Sequence, residues 1–273
     1  MARVWFVTGS SRGLGRDLVE LVLGSGDVVV ATARQPQKLN DLVAKYGPEK
    51  ILTAALDVSD VTNINQVVKQ AHDKFGRIDV VVNNAGYAEM ASVEDVDMES
   101  FRAQFEANFF GVVNVTKAVL PIMRQQQSGR ILQVSSVGGR VGSPGLAAYQ
   151  SAKWAVGGFS TVLQHEVAPF GIRVTVLEPG GIKTDWADNA AEKSVVSEPY
   201  ERSVGAMIKL RETMSGNWSE PADIASAILH ISGVSDPPLR LLLGPSGIPH
   251  AKQAAQALAE SDEKWIHVSN LEF

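Results

Sequence analysis

No cysteine occurs among the 273 residues, which excludes disulfides, thiol catalysis and cysteine-based metal sites. Histidine is also scarce. The five, His72, His165, His230, His250 and His267, show no ligand spacing. No apolar stretch approaches the roughly 18 residues needed to cross a bilayer. The opening MARVWFVTGSSRGLGR has one short apolar run before its glycines and does not read as a signal peptide. A cytoplasmic protein with no membrane partner is the expectation, and the missing cysteines are compatible with a reducing compartment. The formal net charge is only −5, with both signs mixed along the chain, which argues against a nucleic-acid partner. Internal repeats, low-complexity tracts and linkers are absent as well.

What remains is ordinary globular composition, 45% hydrophobic and 20% charged. The length suits one large α/β domain. Short β-branched runs alternate with segments of helical periodicity. Strands are predicted at 3–8, 27–33, 51–56, 78–82, 131–135, 172–177 and 239–243. Helices are predicted at 39–46, 98–124, from Tyr149 to about Pro169, at 221–233 and at 246–259. Another helix is traced by the face Val61, Ile64, Val67, Val68, Ala71 and Phe75. This alternation predicts a Rossmann-type, doubly wound parallel sheet of about seven strands, flanked by helices, in a single domain over residues 1–273.

Residues 185–218 break the pattern, being polar and less regular, with Trp186, Tyr200, Met207, Met214 and Trp218. Two readings stand: a solvated connection with aromatics tucked into the core, or a substrate lid. The segment directly follows a strand's carboxyl end, where open α/β sheets bind ligands, and this favours the lid.

Tyr149 and Lys153 are spaced i and i+4, so on a helix they share one face. A phenol ionises near pH 10 (about 10), and an adjacent cation lowers that value, suiting tyrosine to acid/base work. Ser136 precedes Tyr149 across a Gly/Pro loop that can return it as a hydrogen-bond donor to a substrate oxygen. Alone, such a Tyr/Lys pair is more often a surface pair.

At the other end, Gly9, Gly13 and Gly15 form a GxxxGxG turn between the first strand and first helix. Glycines let the backbone approach a pyrophosphate, and the helix N-terminus offers N–H groups and positive dipole. NAD-binding domains of this type carry an acid after the second strand. Here the sequence reads Thr32-Ala33-Arg34. Arg34 and Arg12 are placed to meet a 2′-phosphate, which points to NADP(H), with NAD(H) as the alternative.

These residues together resemble the short-chain dehydrogenase/reductase family. The matching motifs are TGSSRGLG at 8–15, Asp57 after the third strand, NNAG at 83–86, Asn108, Ser136, YxxxK at 149–153 and PGGIKT at 179–184. The resemblance implies Tyr149 as general acid/base and Lys153 as the group that lowers its pKa and binds the nicotinamide ribose. It implies Ser136 as carbonyl polariser, and Asn108 as holder of a helix kink and a water. It also places Asp57 at the adenine edge, Asn84 and Gly86 at the adenine ribose, and Ile182 with Thr184 at the carboxamide. Ser11, Leu14, Val58, Ala85, Pro179 and Gly180 complete the implied cofactor site. Ser135 competes with Ser136, and the offset to Tyr149 favours Ser136. Thr175 departs from the asparagine common in the family. The run VTVLEPGGIKT looks closest to the hydroxysteroid- and retinol-dehydrogenase-like branch.

The implied activity is hydride transfer between nicotinamide C4 and a ketone or aldehyde carbon, with a homo-dimer or homo-tetramer through helices near 98–124 and 148–169. A catalytically silent sensor or scaffold of this fold would lack part of the Asn/Ser/Tyr/Lys set, and all four are present. A metal-dependent alcohol dehydrogenase lacks its cysteine ligands here. Val141, Leu146 and either Tyr87 or Met90, with the aromatics and methionines of 185–218, imply a largely apolar substrate pocket.

Overall fold

The β-branched runs pair as buried parallel strands, and each strand splits its side chains between two cores. The computed structural model describes residues 2–184, 190, 194–214 and 218–272, with the backbone alone at Glu212 and Met214. Seven strands are present: β1 (Val4–Thr8), β2 (Val28–Ala33), β3 (Ile51–Ala55), β4 (Val80–Asn83), β5 (Gly129–Val134), β6 (Ile172–Pro179) and β7 (Arg240–Leu243). They form one sheet in the order β3-β2-β1-β4-β5-β6-β7, and every pairing is parallel.

Trp5 and Val7 of β1 enter one core, with Leu18 and Val22 of α1 (Gly13–Gly24) and Ile224 and Ile228 of α8 (Pro221–Ser232). Phe6 points to the opposite core, against α3 (Val61–Phe75), α5 (Gly111–Gln126) and α6 (Ala147–Val167). That period of two is what a sheet covered on both faces requires. Each fully buried Leu, Ile, Val or Phe stabilises the fold by about 1.5–3 kcal/mol. Strand order reverses between β1 and β4, which opens a crevice at their carboxyl ends.

The remaining helices are α2 (Asn40–Tyr46), α4 (Met98–Phe105), α7 (Ala206–Met214), α9 (Ile248–Lys264) and α10 (Ile266–Ser269). The helix predicted over 98–124 is interrupted. A π-helical turn, Glu106–Phe110, joins α4 to α5. Its cause is Asn108, whose Nδ2 donates to the carbonyls of Gln104 and Tyr87, both at 2.8 Å.

The segment expected to be irregular is helical over much of its described length: a 3-10 turn at Glu198–Tyr200, a π turn at Glu201–Gly205, then α7. Val204 is buried, and Met207 and Ile208 pack against Met90, Leu146 and Tyr149. Their i, i+3, i+4 spacing is a helix signal that the polar neighbours diluted. Trp186 and the Met214 side chain lie outside the described residues. Among the described residues no helix is long and apolar enough to cross a membrane.

Candidate active site

Every catalytic and cofactor-binding residue singled out from the sequence lines one cleft, of about 1740 Å³, at the carboxyl ends of the strands. It runs from the glycine turn, past Tyr149, to α7 and α9. A small-ligand pocket occupies roughly 300–1,000 Å³, so this cleft has room for a dinucleotide and a second molecule.

The glycine turn has no space for side chains. Gly9 has φ +70°, and a Cβ there would sit 2.9 Å from the Ala85 Cα. A Cβ on Gly15 would collide with the Gly9 carbonyl and lie 2.5 Å from Asn84 Nδ2. Behind the turn, α1 begins with no side-chain cap and no acid in its first turn. Its N-terminal N–H groups and dipole therefore remain available to an anion. Thr184 closes over Gly13, its Cγ2 3.2 Å from where a Cβ would lie.

Asn84 lines the cleft and has a structural task besides. Its Nδ2 donates to the Thr8 carbonyl at 2.9 Å and the Gly9 carbonyl at 3.2 Å. Thr8 Oγ1 in turn accepts from the backbone N–H groups of Asn84 and Ala85, both at 3.0 Å. Asn84 thus lines the cleft while fastening the loop after β4 to the turn after β1. Asp57 also has a local role: its Oδ1 accepts from Ser59 N at 3.0 Å and Ser59 Oγ at 2.6 Å. Those bonds, with a smaller contribution from the Arg34 cation, hold the Asp57 carboxyl below its usual range. Arg12 and Arg34 are exposed at the cleft's edge.

At the centre, Ser135 and Ser136 separate cleanly. Ser135 is buried, its N–H donating to the Leu177 carbonyl and its Oγ to the Lys153 carbonyl. Ser136 is the half-buried one, and its side chain hydrogen-bonds to Tyr149. Ser136 Oγ also accepts from Gly138 N at 3.0 Å, which starts the turn that aims it. Lys153 Nζ donates to the Val134 carbonyl at 2.9 Å and lies 5.5 Å from the centroid of the Tyr149 ring.

The electrostatics differ from what the Tyr/Lys pair alone implied. Burial pushes the Tyr149 phenol up to about 12, while the Ser136 hydrogen bond and the Arg211 cation act to lower it. Burial also brings the Lys153 ammonium down to about 8. Desolvation outweighs the proximity of the pair, because both groups have left water.

Asn108 is fully buried, and its Oδ1 has no hydrogen-bond partner among the described residues. A Cβ on Gly86 would lie 2.5 Å from that oxygen and 3.6 Å from Lys153 Nζ. A buried acceptor of this kind, with the Lys153 ammonium on the same side of Gly86, offers the polar partners that an ordered water takes.

Several cleft residues were not found from the sequence. Arg140 and Arg240 flank Glu178, which is fully buried at the end of β6. Arg140 lines the cleft. An acid immediately before Pro179, in an otherwise apolar strand, was the available signal. Arg211 of α7 and His250, Gln253, Ala254 and Ala257 of α9 also line it. For these no local motif existed. Met90 packs behind the wall against Leu146, and Tyr200 donates to Glu94 at 2.7 Å at the surface. Thr175 donates to the Pro238 carbonyl at 3.0 Å, tying β6 to the approach of β7. Among the described residues no group of three or more His, Asp or Glu could hold a metal ion.

An open parallel sheet with a glycine turn at its first crossover, and a Ser/Tyr/Lys cluster in the adjoining cleft, defines a dinucleotide-dependent oxidoreductase. The chain belongs to the short-chain dehydrogenase family, whose model matches residues 3–194. It is 58% identical over 270 residues to the oxidoreductase BOA17 of Botryotinia fuckeliana, covering 98% of each chain. It is similar in structure to a short-chain dehydrogenase from Streptomyces avermitilis, with TM-score 0.90, 34% identity and 100% of each chain covered. An alcohol dehydrogenase from Thermococcus sibiricus, complexed with 5-hydroxy-NADP, matches with TM-score 0.74 at 25% identity, over 89% of this chain and 97% of that one.

Proposed function

We propose that this oxidoreductase is an NADP(H)-preferring carbonyl reductase or alcohol dehydrogenase acting on a ketone or aldehyde, with Tyr149 as general acid/base. The observation that carries the reading is the convergence of Ser136, Tyr149 and Lys153 in one cleft, with the first two hydrogen-bonded to each other. The dinucleotide fits the residues present: the turn at Gly9 and Gly15 excludes side chains, and the start of α1 is uncompensated. When bound, a nicotinamide supplies or accepts the hydride.

The chain's own residues handle the proton. Ser136 and Tyr149 donate hydrogen bonds to a carbonyl oxygen and stabilise the negative charge that develops there. Burial keeps the Tyr149 phenol protonated at neutral pH, so it enters reduction as the proton donor. Lys153, tethered to Val134, and Asn108, with its buried open oxygen, provide the water-bridged route by which Tyr149 regains a proton.

For the cofactor, the edge of the cleft beyond β2 carries Arg34, Gln35 and Lys38, with Arg12 opposite and no acid at the end of β2. The 5-hydroxy-NADP in the Thermococcus complex supports the same preference. Residues 185–218 act as a lid, a role supported by Met207, Leu210 and Trp218 in the cleft wall. Trp154 and Val162, exposed on α6, and Phe110, exposed at the end of the π turn before α5, support a homo-dimer or homo-tetramer, which light scattering would detect.

The test is oxidation of NADPH, and separately NADH, against a panel of ketones and aldehydes. Turnover should favour NADPH and fall by orders of magnitude in Tyr149→Phe, while that variant still binds NADPH. A variant that keeps its turnover would refute the assignment.

A further inference from the structure

Gln150 follows Tyr149 on α6 and lines the same cleft. It is 8% exposed, so its amide is held away from bulk water. The direction of that amide is fixed. Gln150 Oε1 accepts from the Ser143 N–H at 2.7 Å, and only the oxygen of an amide can meet a backbone donor, so the NH2 group points the other way. Among the described residues Nε2 donates to no acceptor, yet it is not sealed inside the protein.

On that side Nε2 meets Ser136 across a glycine. A Cβ on Gly138 would lie 3.0 Å from Gln150 Nε2 and 3.3 Å from Ser136 Oγ. Gly138 has no positive φ, so its backbone makes no demand for glycine, and what the missing side chain provides is room. Two side-chain donors therefore border one cleared spot in the cleft wall. Ser136 is hydrogen-bonded to Tyr149 and serves the reacting oxygen. Gln150 has no part in that chemistry. A substrate that covers its N–H groups without offering an acceptor leaves a buried donor unpaired, which works against binding.

We infer that Gln150 is a specificity-determining residue of this site, and that the substrate carries a second oxygen, on the carbon next to its reacting carbonyl or next but one, which accepts from Nε2. This rests on the oxidoreductase reading of the same cleft. Two donors around one Cβ-sized spot are matched by two oxygens that close together on a carbon chain. The paired contacts fix the orientation of the carbonyl as well as its distance from the phenol, which an apolar wall alone does not.

The test compares methyl pyruvate with 2-pentanone, and methyl acetoacetate with 2-hexanone, in wild type, Gln150→Met and Gln150→Glu with NADPH. Each ketone has the chain of its keto ester without the further oxygens. Keto esters are intrinsically more reactive, so the reading is how the ratio changes between variants. Gln150→Met removes both functions of the amide. Gln150→Glu, at pH 8, keeps an oxygen for the Ser143 N–H and removes the donor alone. In both variants kcat/KM for at least one keto ester, relative to its ketone, should fall about fivefold or more. A ratio unchanged in either variant would overturn the inference; if kept in Gln150→Glu alone, it would assign Gln150 to holding the Ser143 loop. Saturation-transfer NMR on the full chain reads binding of the same compounds without turnover. Keto-ester binding that depends on the Gln150 amide, with no turnover of any compound, would leave Gln150 in its role and remove the oxidoreductase reading instead. Absence of both turnover and any such binding preference would overturn the inference.

Discussion

The Lys153 ammonium donates to the carbonyl oxygen of Val134 across 2.9 Å, so the cation on α6 is fastened to the last residue of β5. Lys153 is only 4% exposed, and the bond fixes where it points without restoring the water it lost. Burial therefore lowers it to about 8 from an ordinary 10.5. Between those values the unfolded chain binds more protons than the folded one, so this residue makes stability rise with pH across that window. Below it both states carry the charge and the full penalty, on the order of 3 kcal/mol, applies. Lys153→Met should accordingly melt higher relative to wild type at neutral pH than at pH about 10. Tyr149, whose raised value acts above about 10, is common to both proteins and cancels. A wild-type-to-variant gap that stays constant with pH would contradict the lowered ammonium.

Arg34 is exposed at the end of β2, so replacing it should leave the fold intact and act on the cofactor. Arg34→Ala should raise the KM for NADPH at least about tenfold, from a lost charged hydrogen bond of roughly 1.5–3 kcal/mol. The KM for NADH should hardly move. Equal changes for both cofactors would show that Arg34 does not meet the 2′-phosphate.

Gly15 leaves no room for a methyl group between the Gly9 carbonyl and Asn84 Nδ2. In Gly15→Ala, α1 or the Asn84 clamp has to shift, at a cost of about 1–3 kcal/mol. Fluorescence titration should show weakened binding of either dinucleotide, and the melting temperature should drop. Unaltered affinity would mean that the turn is looser than the contacts imply.

Glu178 is fully buried beside Arg140 and Arg240. Removing it leaves two arginines near the sheet without their counter-charge, so Glu178→Ala should cost about 3–5 kcal/mol by denaturant titration. Because Arg140 follows the turn that begins at Ser136, kcat should fall as well. A stable, fully active variant would show the ion triad to be dispensable.

The sequence carried most of this architecture through two kinds of signal. Runs such as DVVVATA are too apolar and too short for anything except buried parallel strands, and the observed strands match the expected ones to within about three residues. Motif residues also converged on one cleft: most of them sit in the turns at strands' carboxyl ends, a place that chain order alone identifies, and Asn108, Tyr149 and Lys153 reach it from helices. What was not legible depended on distance in the sequence. Arg211 and Gln253 join the cleft only through the packing of α7 and α9, and Glu178 finds Arg140 and Arg240 across three separate segments. The Tyr149 phenol shows the other limit. Spacing revealed its neighbour, but the sign of its shift depends on how much water the folded protein removes, which no local pattern encodes.

The cleft takes Gly9 from the first strand–helix turn and Ala257 from one of the last helices. Ligand binding is therefore a report on the whole sheet, since fraying at either end dismantles part of the wall. By mass action a dinucleotide at 100 times its Kd adds about 2.7 kcal/mol to the global unfolding free energy. In a cell rich in such cofactors, the lifetime of this protein against proteolysis then follows the size of the nucleotide pool.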